Sequence, residues 1–259
     1  MQNRDSQYTN PYDKHLGYRS ALLDVGPRFY VRTRHMLKFF PSKPQRIIDI
    51  GCGDGFFLEL LAKRGLVADG IDASAEAIEL CKKRFGRFGG AIKCCFIEEF
   101  RPEKLYDLVL CGEVLEHIED DESFLKEINR LTVLNGILIL TVPLDMKLWS
   151  KADENAGHFR RYTKSEIFTK LQRAGFCVEK YVVWGFPLTR YLTPFIRKQQ
   201  TQMMSRHEPK QTERKQKLLV KYKAALKLIK YLFLLDNLFN FTEKGAGIVI
   251  RARKTADCV

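Results

Sequence analysis

Short apolar runs alternate along most of this chain with longer stretches in which apolar side chains recur every three or four positions. The runs near 46–50, 67–71, 91–97, 106–111 and 136–142 have strand length, while 56–64, 75–86 and 119–133 carry a helical period. Strands and helices alternating at this spacing predict a mostly parallel sheet with helices on both faces. A helix over 163–174, a strand over 176–184 and a last run from Gly247 to Arg253 bring the expected sheet to seven strands. The leader, 1–45, reads as helices and turns broken at Pro11, Pro27, Pro41 and Pro44. The expected fold class is therefore α/β, doubly wound, with 46–185 and 245–254 forming the sheet domain. Residues 186–244 form an insertion where the bare fold needs only a turn.

Candidate chemistry sits where strands end. Ile47-Ile48-Asp49-Ile50 runs into Gly51-Cys52-Gly53-Asp54-Gly55, an acidic residue followed by glycine at every second position. Such a turn lets backbone approach a ligand with no Cβ in the way, and the helical pattern from Phe56 puts it at a helix N-terminus. A dinucleotide fingerprint would need its third glycine at position 56, which is Phe56, and a P-loop would need Gly-Lys-Ser/Thr after the turn; neither is present. The next strand, Val67 to Ile71, ends in Asp72, 21 residues after Gly51. At that distance in a βαβ unit a carboxylate faces ribose hydroxyls held over the first loop. The alternative is that Asp72 caps the helix starting near Ala75, a role Ser74 could fill equally well. Further on, Tyr106 to Cys111 runs into Gly112-Glu113-Val114-Leu115-Glu116-His117, a carboxylate-rich loop with one of only five histidines.

Gly-x-Gly-x-Gly after an acidic strand end resembles the first motif of class I S-adenosylmethionine-dependent methyltransferases. The segment from Tyr106 to Ile118, the string Gly157-His158-Phe159-Arg160-Arg161-Tyr162-Thr163, and Ala174-Gly175-Phe176 resemble the subgroup that includes ubiquinone-pathway O-methyltransferases. The resemblance spans about 45–185 plus the last strand, and it implies a Rossmann-like methyltransferase fold whose final hairpin is antiparallel. It also implies S-adenosyl-L-methionine as cofactor. Gly51, Cys52 and Gly53 would contact its methionyl part, Asp49 would anchor the loop or the ammonium, and Asp72 would hold the ribose. Gly112 and Glu113 would lie near the transferred methyl. Where an Asp commonly meets adenine, this chain has Phe96 and Ile97, which leaves Glu98 as the substitute.

Transfer to a hydroxyl calls for a base, and an imidazole titrates near neutrality. His117 and His158 are the candidates, with Glu116 beside the first. Each has a plainer alternative, in which His117 caps or orients its loop and His158 packs among Phe159, Arg160 and Tyr162. Glu113, Glu116, His117 and His158 also resemble the set with which small-RNA 3′-end methyltransferases hold a divalent ion. The motif recurs in relatives without metal, and no metal is assigned here. The acceptor is expected to be a small or carrier-linked molecule methylated at oxygen.

Charge changes the picture in one place. The formal net charge is +13, and 186–244 holds 13 Lys or Arg against 4 Asp or Glu, a net +9. Within it, Leu218, Tyr222, Ala225, Ile229 and Phe233 share one helical face while Lys217, Lys221, Lys223, Lys227 and Lys230 lie off it. A basic amphipathic helix over 217–234 suits a lid, a solvated face packed on the domain, or peripheral contact with an anionic membrane and a lipid-linked acceptor. A nucleic-acid-binding protein or RNA methyltransferase is the other class the charge admits. Its aromatics lie on the apolar face rather than on a stacking platform, which argues against that class. Seven cysteines without zinc-like spacing suggest reduced thiols and a cytoplasmic compartment. The start of the chain lacks the apolar core of a signal peptide, and no run of apolar residues is long enough to cross a bilayer.

Overall fold

The computed structural model describes residues 27–193 and 231–256. Within them lie seven strands: β1 (Ile47–Ile50), β2 (Ala68–Asp72), β3 (Ile92–Cys94), β4 (Tyr106–Gly112), β5 (Thr132–Pro143), β6 (Phe176–Trp184) and β7 (Gly247–Lys254). The helices are α1 (Pro27–Lys38), α2 (Phe56–Ala62), α3 (Ala75–Phe85), α4 (Asp121–Leu131), α5 (Lys151–Asn155) and α6 (Lys164–Arg173). Sheet order is β3-β2-β1-β4-β5-β7-β6, with β7 antiparallel to both neighbours and every other pairing parallel. This is the seven-stranded α/β sheet the sequence predicts. Strand order reverses between β1 and β4, and in open α/β sheets the crevice beyond the carboxyl ends at such a point receives ligands.

Alternation along each strand feeds two cores. Ile48, Ile50, Val109, Cys111, Leu138 and Leu140 face one side, under α4 and α6. Ile47, Leu108, Leu110, Ile137 and Ile139 face the other, under α1, α2 and α3. Strands buried on both faces read as unbroken apolar runs, which is why their existence was plain from sequence.

Boundaries moved where local pairing outcompeted the apolar pattern. The run at 91–97 supplies only three residues of strand before a 3₁₀ turn at Ile97–Glu99. α4 stops at Leu131 because β5 begins at Thr132, whose pairing with Tyr106 is followed by a register shift. Residues 217–230 of the expected basic helix over 217–234 lie outside the described residues. Among the described cysteines, Cys52, Cys81, Cys94, Cys95 and Cys111 are free thiols, but Cys177 is disulfide-bonded, which corrects the expectation of reduced thiols throughout. No helix among the described residues is long and apolar enough to cross a membrane.

Candidate active site

The glycine turn is fixed from inside. Gly51 and Gly53 lie at φ +72° and +55°, where a side chain is strained. A Cβ on Gly51 would stand 2.3 Å from Val114 Cγ2, whereas one on Gly53 would meet nothing within 4 Å. The N–H groups of the turn are tied to the neighbouring strand and to the turn itself. Gly51 and Cys52 N–H both donate to Ile71 O at 2.8 and 3.0 Å, Gly55 N–H to Cys52 O at 3.1 Å, and Gly53 N–H to Asp72 Oδ2 at 2.8 Å. The N–H groups of Gly51, Cys52, Gly53 and Gly55 are thus engaged within the protein, and the carboxyls of Asp49 and Asp72 stand beside the turn. Asp72 accepts from Ser74 N–H as well, through Oδ1 at 2.9 Å. Ser74 Oγ in turn accepts from Ala77 N–H, so Ser74 and not Asp72 caps α3.

Beyond this turn opens a cavity of about 440 Å³, within the range of small-molecule sites. Asp49, the glycine turn and Asp72 form one side; Phe96, Ile97 and Glu98 form a wall; Gly112, Glu113, His117, His158 and Phe159 form the other side. Ten of the eleven residues singled out from sequence line it. The eleventh, Glu116, is fully buried beside His117 and His158, one ligand atom of each lying within 4.8 Å of the others. The roof was not foreseen: α1 contributes Phe29, Arg32, Thr33 and Met36. Arg32 Nη1 lies 3.4 Å from Glu113 Oε2, and its buried Nε has no partner among the described residues. No motif marks these residues in sequence, and the only signal is an arginine inside an amphipathic leader helix.

Three carboxyls here are perturbed in different directions. Asp49 is buried, and burial, with Asp72 nearby, pushes its pKa up to about 7 against the opposing pull of Arg32. Glu116 is pushed well above the ordinary carboxylate value by burial and by Glu113, and neither of its oxygens has a hydrogen-bond partner among the described residues. At Glu113 burial acts upward too, but Arg32, Arg28 and the hydrogen bond from Thr141 Oγ1 at 3.1 Å hold it below the ordinary carboxylate value. Its backbone takes φ +59°, a position held by Glu113 N–H donating to Thr141 O. Strained non-glycine backbone beside a cavity is characteristic of functional sites.

The imidazoles meet edge to face with ring centres 4.6 Å apart. His158 Nδ1 is 3.2 Å from Asp153 Oδ1, within ion-pair distance but off the hydrogen-bond direction. Asp153 itself is immobilised: Arg161 donates twice to Oδ1, at 2.6 and 3.1 Å, and Ser150 N–H and Oγ reach Oδ2 at 2.9 Å. Burial opposes its ionisation, yet His158, Arg161 and Ser150 together hold it far below its usual range. Phe159 N–H donates to Glu116 O at 2.8 Å, and the Tyr162 hydroxyl to Asp121 Oδ2 at 2.9 Å. The string from Gly157 to Thr163 thus divides its labour: His158 and Phe159 face the cavity, and Arg161 and Tyr162 fasten them to the core.

Comparison with known proteins places this arrangement in a family. The Methyltransferase domain family matches residues 23–181, well over half of the chain. The ubiquinone biosynthesis O-methyltransferase of Pelagibacter ubique is 33% identical over 102 residues, covering 39% of this chain and 42% of that protein. The chain spans half or less of the length of the curated relatives it matches. A crystal structure of a SAM-dependent methyltransferase from Thermotoga maritima, a possible histamine N-methyltransferase, superposes with a TM-score of 0.60 at 20% identity, covering 95% of this chain and 99% of that one. The N-methyltransferase NodS of Bradyrhizobium japonicum, in complex with S-adenosyl-L-homocysteine, gives 0.56 at 22% identity over 70% of this chain and 94% of its own. At such identities the likeness is one of fold. The extent of the family match makes the assignment: this chain belongs to the Methyltransferase domain family.

Proposed function

We propose that the protein transfers a methyl group from S-adenosyl-L-methionine to a hydroxyl oxygen of a small or carrier-linked acceptor. The single observation that carries this reading is that acidic donor-side groups and two imidazoles open into one cavity of about 440 Å³. In it, 46–185 with 245–254 is the catalytic domain, α1 of the 1–45 leader supplies the roof, and 186–244 is an insertion outside the chemistry.

The residues divide by charge. The donor is a sulfonium bearing an ammonium and a carboxylate, and the carboxyls of Asp49 and Glu113 suit its cationic groups while Arg32 suits its carboxylate. Gly51, Cys52 and Gly53 shape the seat for the methionyl chain. Asp72, which holds the turn through Gly53 and Ser74, accepts the ribose hydroxyls. Phe96 and Glu98 border the adenine. Gly112 leaves room at the end of β4, the nearest atoms to where its Cβ would stand being those of Met36 and Thr141 at 3.7 to 3.9 Å. On the far side the acceptor oxygen attacks the methyl carbon, the carbon–sulfur bond breaks, and the neutral thioether leaves. The hydroxyl proton passes to His117 or His158. Orientation of this kind can lower a barrier by about 7–11 kcal/mol.

A specific observation favours a second reading of the proton step. Glu116 offers two buried oxygens without hydrogen bonds, and His117 and His158 each offer a ring nitrogen nearby, a donor set that fits a divalent cation. Such an ion would supply Lewis-acid ionisation of the acceptor hydroxyl. Glu113 is not part of this cluster, being engaged with Arg32 and Thr141.

The test is titration calorimetry with S-adenosylmethionine and S-adenosylhomocysteine, followed by labelled methyl transfer to a panel of phenols, catechols and alcohols. Binding of both ligands with turnover on a hydroxyl is expected. Absence of binding at millimolar ligand would end the proposal, and transfer confined to amines would overturn its oxygen half.

A further inference from the structure

One apolar face among the described residues lies outside the lining of the cavity. It is built from the two stretches 186–193 and 231–241. Fully buried Asp236 accepts from Leu188 N–H at 2.7 Å and Thr189 N–H at 2.8 Å, which clamps the stretches together. The ring of Phe186 bridges Tyr191 and Phe239, with centroids 6.1 and 6.2 Å away. From this clamp apolar side chains stand in solvent: Tyr191 is 65% exposed, Leu235 50%, Leu238 69% and Phe241 80%. Single exposed leucines are ordinary on a protein surface, but this many on two adjoining stretches mark an interaction site.

The chain itself states the chemistry of the partner. The face is interrupted in sequence by 194–230, outside the described residues, which carries 11 Lys or Arg against 2 Asp or Glu, a net +9 out of +13. Both points where that basic stretch joins the described structure, after Thr193 and before Tyr231, border the face. Aromatic and leucine side chains coupled to a dense cationic stretch suit the boundary between headgroups and acyl chains of an anionic bilayer. A second copy of the chain would bring the same positive charge against it, and a nucleic acid would use the charge but leave the leucines in water.

We propose that this face docks the protein peripherally on an anionic lipid surface. The site lies next to the roof of the cavity, since α1 packs against the 233–239 turn and Tyr30 meets Tyr231 edge to face at 6.1 Å. The inference needs no particular acceptor and stands independently of the methyl-transfer reading.

Flotation of the full chain with vesicles tests it, comparing phosphatidylcholine alone with phosphatidylcholine containing phosphatidylglycerol. The wild type should float with the anionic vesicles only, and less so as salt is raised. The double variant Leu238→Ser, Phe241→Ser changes two exposed side chains and should keep the wild-type melting temperature, while its partition onto anionic vesicles falls by about tenfold or more. The proposal is overturned if the wild type fails to float, or if the variant floats as well as the wild type. It is equally overturned if the variant's only effect is to abolish a dimer seen by sedimentation, or if an RNA competitor strips the wild type from vesicles and binds the variant unchanged.

Discussion

Asp49→Asn should make the protein more stable and less able to hold its donor. In the folded state the carboxyl of Asp49 titrates near 7 instead of 3.8, because burial and Asp72 disfavour its charge. An acid whose folded-state pKa is raised binds its proton more tightly when folded, so stability falls as pH rises from about 4 to about 7 and stays reduced above that. The full difference at pH 8 is on the order of 4 kcal/mol. Asn removes the titration, and with about 2–4 °C of melting temperature per kcal/mol a gain of roughly 8–16 °C is expected at pH 8, shrinking toward nothing at pH 4. Donor binding moves the other way. Losing a hydrogen bond to a charged group costs about 1.5–3 kcal/mol, or roughly 10- to 150-fold in Kd. The wild-type affinity should also rise with pH through 7, as the carboxylate forms, while the variant's stays flat. Melts at pH 4, 6 and 8 and calorimetry with S-adenosylhomocysteine read both effects. Equal melting temperatures at pH 8 together with an unchanged, equally pH-dependent Kd would refute the reasoning.

Four further outcomes follow from the geometry. Gly51→Ala places a methyl 2.3 Å from Val114 Cγ2 at φ +72°, so it should cost at least about 2 kcal/mol; Val114→Ala in the same chain should recover the clash but not the backbone strain, as measured by denaturant melts. Arg161→Met leaves Asp153 buried without its main partner and should destabilise by about 3–5 kcal/mol, whereas exposed Arg173→Met should change stability by less than about 0.5 kcal/mol. His35 is lowered to about 4 by burial and by Lys38; as a base held neutral it costs stability as pH falls from 6.5 toward 4, and His35→Gln should flatten that part of the pH–stability curve. Dialysis against a chelator should leave donor affinity unchanged, and if Glu116 and the two histidines hold a cation, added Mg²⁺ or Mn²⁺ should restore lost turnover in the wild type but not in Glu116→Gln.

What the sequence made legible was what is local. The turn from Gly51 to Gly55, the carboxylates at the ends of β1 and β2, and the Glu113 to His117 loop each announce themselves within a few residues, and sheet topology alone brings them to one crevice. What it hid depends on separations that no short window contains. Arg32 is 81 positions from Glu113, and its meeting with that carboxylate rests on how α1 lies across the sheet. The bracing of the turn was hidden for the same reason: the carbonyl of Ile71 and the carboxylate of Asp72 that accept from its N–H groups belong to the neighbouring strand. Asp153 could not be read as a partner of His158 and Arg161, since the helix that carries it is only five residues long and without an apolar period.

On the proposed reading the cavity has a donor side and an acceptor side; the two differ in how they are held, and this bears on where acceptor choice would reside. The donor side is built into strand ends and locked by backbone hydrogen bonds, so its shape follows from the sheet. The acceptor side is a loop carrying His158 and Phe159, pinned at Phe159 N–H, Arg161 and Tyr162, with the Phe159 side chain itself 51% exposed. A side chain anchored through its backbone but free at its ring can be exchanged without disturbing the donor side. Phe159→Ala should therefore alter KM across a panel of acceptors while the Kd for S-adenosylhomocysteine moves less than about twofold. Parallel losses in both would mean that the two sides are one site, with no separable surface for the acceptor.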